Sequence, residues 1–119
     1  LGILNEVKKG NNLTVDDLVL IKGLLNNSLV GTSKLLHFIN PVNFAIWDSR
    51  VYRYLTNKEP YVNSIGNCNS YLDYLAFCNY LTQHKEFDSL KNIVEMKVGY
   101  SMTAFRVAEL VMYFNGTKK

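Results

Sequence analysis

The strongest constraint in this chain is a run of apolar and aromatic residues, Tyr71, Tyr74, Leu75, Cys78 and Leu81, spaced three and four apart behind the tetrapeptide Ser70-Tyr-Leu-Asp. That spacing returns to one side of a 3.6-residue turn, and a hydroxyl followed three positions later by a carboxylate is the sequence form of a capping box. A helix with one buried face is therefore predicted from Ser70 onward. The same grammar recurs along the chain. Thr14-Val-Asp-Asp precedes Leu18, Ile21, Leu24 and Leu25, which predicts a helix over about residues 16–25. A second series, Leu35, Leu36, Phe38 and Ile39, runs until Asn40-Pro41, where proline's missing N–H and fixed φ stop it. Asn26-Asn27-Ser28 is the polar joint between these two, giving a hairpin-like helix pair in the N-terminal half.

Residues 42–47 read as a short connector, extended or a single turn, and Asp48-Ser49 caps a helix carrying Val51, Tyr52, Tyr54 and Leu55. Residues 57–69 hold Pro60, Gly66 and several asparagines and have the longest loop character. A shorter helix is expected over about residues 88–96. A last one, capped by Ser101 and bearing Phe105, Ala108, Leu110, Val111 and Phe114, ends at Gly116. No period-two alternation bounded by hairpin glycines competes with this reading. The expected class is all-α, a compact single-domain bundle of about five or six helices over residues 1–119.

Composition agrees. A hydrophobic content of 48% supplies one core, and 19% charged residues interrupt any run long enough to span a membrane. No apolar leader with a small-residue cleavage site is visible, so a cytoplasmic address without a membrane partner is expected. Opening on Leu1 rather than Met, with an apolar and basic segment over residues 1–9, the chain is compatible with being a piece of a longer protein. Cys68 and Cys78 lie ten positions apart, Cys78 on a helix face, and read as buried free thiols. There is no Cys/His spacing suited to zinc, no phosphate loop and no dinucleotide fingerprint, so neither metal nor cofactor is expected. His37 and His84 stand far apart without a nucleophile context, which disfavours a hydrolytic triad. The net charge of +3 permits contact with nucleic acid, yet the basic residues form no dense block.

The most informative stretch is Leu29-Val30-Gly31-Thr32-Ser33-Lys34, followed after Pro41 by Phe44-Ala45-Ile46-Trp47-Asp48-Ser49-Arg50. This arrangement resembles the helix-hairpin-helix DNA glycosylases of the 8-oxoguanine group, in which a Gly-hydrophobic-Gly-Thr-Lys hairpin precedes an apolar stretch and then an essential Asp. The resemblance implies an all-helical fold and DNA as partner. Gly31 and Thr32 match the second Gly and the Thr of the hairpin that holds the DNA backbone. Lys34 corresponds to the nucleophile and Asp48 to the catalytic carboxylate. Leu29 stands where the first Gly belongs, Ser33 adds a residue before Lys34, and the interval from Lys34 to Asp48 is shorter than in well-known members.

The chemistry is consistent with those residue types. Removing a damaged base requires a flipped nucleotide, a nucleophile at the sugar, and negative charge beside the developing oxocarbenium ion. Lys34 offers an amine able to form a Schiff base and Asp48 offers the charge. Phe44, Trp47 and Arg50 are the candidate substrate contacts. Arg53 joins Gly31 and Thr32 as a candidate backbone contact, since a turn opening a helix aims N–H groups at a phosphate. The competing reading is structural: Asp48 and Ser49 cap a helix, Lys34 is an exposed charge, Gly31 relieves a turn, and Phe38, Phe44, Trp47 and His37 belong to the core. Tyr52, Tyr54, Tyr71, Tyr74 and Tyr80 are either core or an aromatic surface for single-stranded nucleic acid. Three functions follow as expectations: a base-excision enzyme, a non-catalytic helical module that binds nucleic acid or a protein, or a structural domain acting through an exposed apolar patch.

Overall fold

The computed structural model describes residues 2–10 and 13–116, and among them all regular secondary structure is helical. The order is α1 (Gly2–Lys8), α2 (Val15–Leu24), α3 (Leu29–Ile39), α4 (Ser49–Thr56), α5 (Val62–Ile65), α6 (Cys68–Thr82), α7 (Phe87–Val98) and α8 (Ala104–Asn115). The expected class is found, with more helices than five or six. The additions are α1 and the single turn α5. Ile3, Leu4 and Val7 keep helical spacing, but only Val7 is buried, too little apolar contact to hold so short a helix. It is held instead from outside, by the Asn40 side-chain amide donating to the Val7 carbonyl at 2.8 Å. The turn α5 forms around Ser64, whose hydroxyl accepts from the Tyr61 N–H at 3.0 Å.

Local capping chemistry sets most boundaries. Thr14 and Asp17 form the reciprocal capping box of α2, and the Asp48 carboxylate accepts the Val51 N–H at 2.9 Å to open α4. Two caps differ from expectation. Asn67, not Ser70, opens α6 by accepting the Ser70 N–H, which places Ser70 inside the helix. Thr103, not Ser101, opens α8. In each case the residue three positions ahead of an available backbone N–H takes the cap, and a rival hydroxyl nearby is displaced.

The joint between α2 and α3 carries a larger correction. Its chain reversal is made by Asn26 and Asn27, both left-handed at φ 55° and 58°, a conformation asparagine tolerates better than most residues. Ser28 then caps α3, accepting the Gly31 N–H at 2.9 Å. Gly31, Thr32 and Lys34 are therefore residues of α3 and not of a hairpin turn around Gly31. Asparagines supply the left-handed positions, so the turn needs no glycine.

Packing follows from the buried faces. α4 lies most extensively on α8, and α6 contacts both α8 and α2. Leu18, Leu36, Trp47, Val51, Tyr71, Tyr74, Val107 and Met112 fill the centre. At the end of α8, Gly116 sits so close to α4 that a Cβ there would lie 1.7 Å from the Arg50 carbonyl oxygen. The Arg53 guanidinium seals the contact by donating to the Gly116 carbonyl at 3.0 Å. Cys68 and Cys78 are buried free thiols. No helix of the described residues is long and apolar enough to cross a membrane.

Candidate functional site

Between α3 and α4 the chain passes through the middle of the molecule as an extended strap, and side chains from two helices bind its backbone residue by residue. His37 Nδ1 donates to the Phe44 carbonyl at 2.8 Å. Tyr71 and Tyr74 hydroxyls donate to the carbonyls of Ala45 and Ile46 at 3.0 and 2.9 Å. Ser33 Oγ accepts the Trp47 N–H at 2.8 Å and lies 3.2 Å from the Trp47 carbonyl. Buried extended backbone with no strand neighbour has to find such partners. Burial, with the Cys78 thiol beside them, also holds both tyrosines in the neutral form, with pKa values pushed well above the ordinary range. The strap therefore delivers Trp47 and Asp48 to fixed positions.

At its end Asp48 caps α4 and faces Glu109 of α8. Glu109 is only 3% exposed and accepts a hydrogen bond from the Arg106 guanidinium. Burial pushes its carboxyl up to about 7; Arg106 opposes that shift and the Asp48 charge adds to it. Burial also pushes the neighbouring Cys78 thiol up to about 12, a hydrogen bond with Tyr74 lowering it and Glu109 raising it.

The other sequence candidates are distributed rather than gathered. Lys34 is exposed on α3, lines none of the three cavities described below, and makes no hydrogen bond or ion pair among the described residues. It is one residue from Ser33, whose hydroxyl reaches the strap, but Lys34 itself is exposed to solvent. The Gly31 N–H is taken by Ser28, and Thr32 is buried with its hydroxyl donating to the Ser28 carbonyl at 2.8 Å. Arg50 lies over the Tyr113 ring, 4.4 Å from its centroid, and Arg53 is shared between Gly116 and Glu59. Both arginines thus have partners on the C-terminal side of the fold. His37 is the structural residue expected.

Phe44 and Trp47 are both buried and face different cavities. Phe44 lines a cavity of about 410 Å³ together with Leu13, Leu18, Leu72, Leu75 and Phe105. Trp47 forms the inner wall of a cleft of about 510 Å³ between α4 and α6. A third hollow, of about 540 Å³, lies at Arg53, Tyr54 and Gly116. The cleft is the one with recognition chemistry. α4 contributes Tyr52, Leu55 and Thr56, and α6 contributes Asn67, Ser70, Asp73, Tyr74 and Phe77, steps of three and four that share one helix face. Tyr61 and Ser64 close one side. Trp47 is fixed by its indole N–H donating to the Ile65 carbonyl at 2.7 Å and by edge contacts with Tyr52 and Tyr71. At the mouth, Tyr61 is 68% and Phe77 37% exposed, and Asp73 makes no hydrogen bond or ion pair among the described residues.

No known family, curated protein or solved structure matches this chain. The site is therefore read from its own geometry.

Sequence reasoning missed Tyr61, Asp73 and Phe77. Asp73 is the acidic member of the apparent capping box at Ser70, and the transfer of the cap to Asn67 leaves its carboxylate unused. Phe77 falls on the same α6 stripe as Tyr74, a signal that gains meaning only when the facing stripe of α4 is known.

Proposed function

We propose that this chain is a helical nucleic-acid-binding module that seats an unstacked base in the cleft between α4 and α6 without covalent chemistry. The observation that carries this reading is the cleft itself: Trp47, Tyr52, Tyr61, Tyr74 and Phe77 surround a space of about 510 Å³ with one unused carboxylate at its rim. That volume falls in the range of about 300–1,000 Å³ that suits a ring-sized ligand. Stacking of a base on an aromatic side chain is worth about 1–3 kcal/mol. The net charge of +3 favours a polyanion without a dense basic track, which fits weak, salt-dependent binding.

Trp47 is the sole tryptophan and lines the cleft, so its emission reports occupancy directly. Titration with single-stranded oligonucleotides should give a saturable change that weakens with salt. Tyr61→Ala and Phe77→Ala should each weaken binding about tenfold, in line with the loss of one stacking contact. Binding unaltered in both variants sinks the assignment to this cleft.

A second reading is favoured by the strap, which holds Asp48 at a fixed place as the cap of α4. In it the Lys34 amine attacks the sugar carbon, the glycosidic bond breaks with its electron pair leaving on the base, and Asp48 stabilises the positive charge between. Borohydride trapping on oligonucleotides bearing damaged bases distinguishes the two. An adduct that disappears in Lys34→Ala supports excision, and its absence on every substrate leaves the binding module.

A further inference from the structure

Among the helices of eight or more residues, α7 has the fewest buried side chains. Phe87 is its only buried residue, while Leu90, Ile93 and Met96 form a ridge on its outer side, with Ile93 55% and Met96 83% exposed. Three large apolar side chains at three-residue steps on solvent-facing helix surface are unusual in a chain that stays single. Tyr100, just past the Gly99 turn that ends the helix, adds to the same exposed region.

The charges beside the ridge are arranged in a way that names its occupant. On the helical wheel, Glu86 and Lys97 lie on the same outward side as Ile93, one at each end of the helix, while Lys91 and Glu95 lie on the opposite side and pair with each other at 3.7 Å. Neither Glu86 nor Lys97 has a side-chain hydrogen bond or ion pair among the described residues. If a second α7 is laid antiparallel across the first, with a two-fold axis between Lys91 and Asn92, Leu90 meets Ile93 of the other copy. Glu86 then falls beside Lys97 of the other copy, and the symmetry repeats that pair at the far end. The surface is complementary to itself, which is what an isologous contact requires.

We propose that the outer ridge of α7 is the contact between two copies of this chain. A helix of twelve residues is about 18 Å long, and the ridge alone offers less than the roughly 1,200–2,000 Å² total of a stable interface. The dimer is accordingly weak and concentration-dependent, and this inference stands independently of the nucleic-acid reading.

The test is sedimentation of the chain over about 10 to about 500 µM, spanning the range where such contacts exchange. The average mass should rise from one chain toward two across that range. Ile93→Glu should hold it at one chain, with an unchanged helical circular dichroism spectrum because Ile93 supports no core. Glu86→Lys should weaken association about fivefold or more through like-charge contact with Lys97, and the double variant Glu86→Lys with Lys97→Glu should restore it. A mass of one chain at the highest concentration overturns the proposal. So does a dimer indifferent to Ile93→Glu, or a charge swap that fails to restore what Glu86→Lys lost.

Discussion

Replacing Glu109 by Gln tests the electrostatics behind Asp48. In the folded chain the Glu109 carboxyl titrates near 7 rather than at its ordinary 4.5, because burial outweighs the attraction of Arg106 and Asp48 adds repulsion. The folded state therefore retains a proton that the unfolded chain has released, and the stability this contributes is full below about pH 4.5 and is lost as pH rises through about 7. At about 1.4 kcal/mol per unit, the displacement corresponds to about 3 kcal/mol lost between the acidic and the alkaline side. Water at the one-third-exposed Arg106 softens the burial penalty that drives the shift, so about 2 kcal/mol is the working expectation. Glutamine stays neutral, keeps an oxygen to accept from Arg106, and changes volume little. Relative to the natural chain, Glu109→Gln should gain about 2 kcal/mol at pH 8 and little at pH 4.5. Urea denaturation followed by Trp47 emission at a series of pH values measures the difference. The other groups facing Glu109, which are Asp48, Tyr74 and Cys78, are common to both chains and cancel in it. A difference independent of pH, or one showing Glu109→Gln less stable at pH 8 than at pH 5, would refute the reasoning and make Glu109–Arg106 a favourable charged pair.

Ser33→Ala strips the strap of the group that accepts the Trp47 N–H, and the orphaned buried donor should cost about 1–3 kcal/mol in the same urea assay. Gly116→Ala drives a methyl into the Arg50 carbonyl and should lower stability by about 1–3 kcal/mol through displacement of α8 from α4; an unchanged unfolding midpoint would place that contact elsewhere. Cys78, its thiol pushed up to about 12, should alkylate at pH 8 only as fast as the chain unfolds, with peptide mapping showing the rate rising with urea. Asp48→Asn keeps a capping oxygen for the Val51 N–H and removes one neighbour of Glu109, so stability near pH 8 should change by less than about 0.5 kcal/mol.

The class of fold was legible because helical spacing and caps are local. Thr14 with Asp17, Asn40-Pro41 as a stop, and Asp48 as the opening of α4 all state their role within four residues of themselves. What stayed hidden was set by contacts distant in sequence. α1 depends on Asn40, 33 positions from the Val7 carbonyl it binds. The strap depends on Tyr71 and Tyr74, whose positions in the α6 pattern announce burial but not their hydroxyl partners 26 and 28 residues earlier. The cleft is hidden for the same reason. Its α4 and α6 stripes are each readable, and only the fold brings them face to face. Gly31 shows the opposite hazard, a residue type that suggests a turn at a position where Ser28 had already begun a helix.

Asp48 and Lys34, paired by sequence, separate once their surroundings are compared. A helix N-cap needs a short side chain with an accepting oxygen, and Ser, Thr or Asn serves nearly as well as Asp. The carboxylate at Asp48 gains about 0.3–1 kcal/mol from the helix dipole, yet it stands near a buried carboxyl whose ionisation it opposes. Capping alone therefore explains the shape of residue 48 better than its charge, and a pinned strap that fixes its backbone adds precision a cap does not require. Lys34 has the reverse character: it is exposed and no described contact fixes its amine. If the second reading holds, Asp48→Asn should abolish base release while leaving the fold intact. If the binding module holds, the same variant should leave occupancy of the Trp47 cleft within about twofold, because the cleft is lined by α4 and α6 side chains that do not include Asp48.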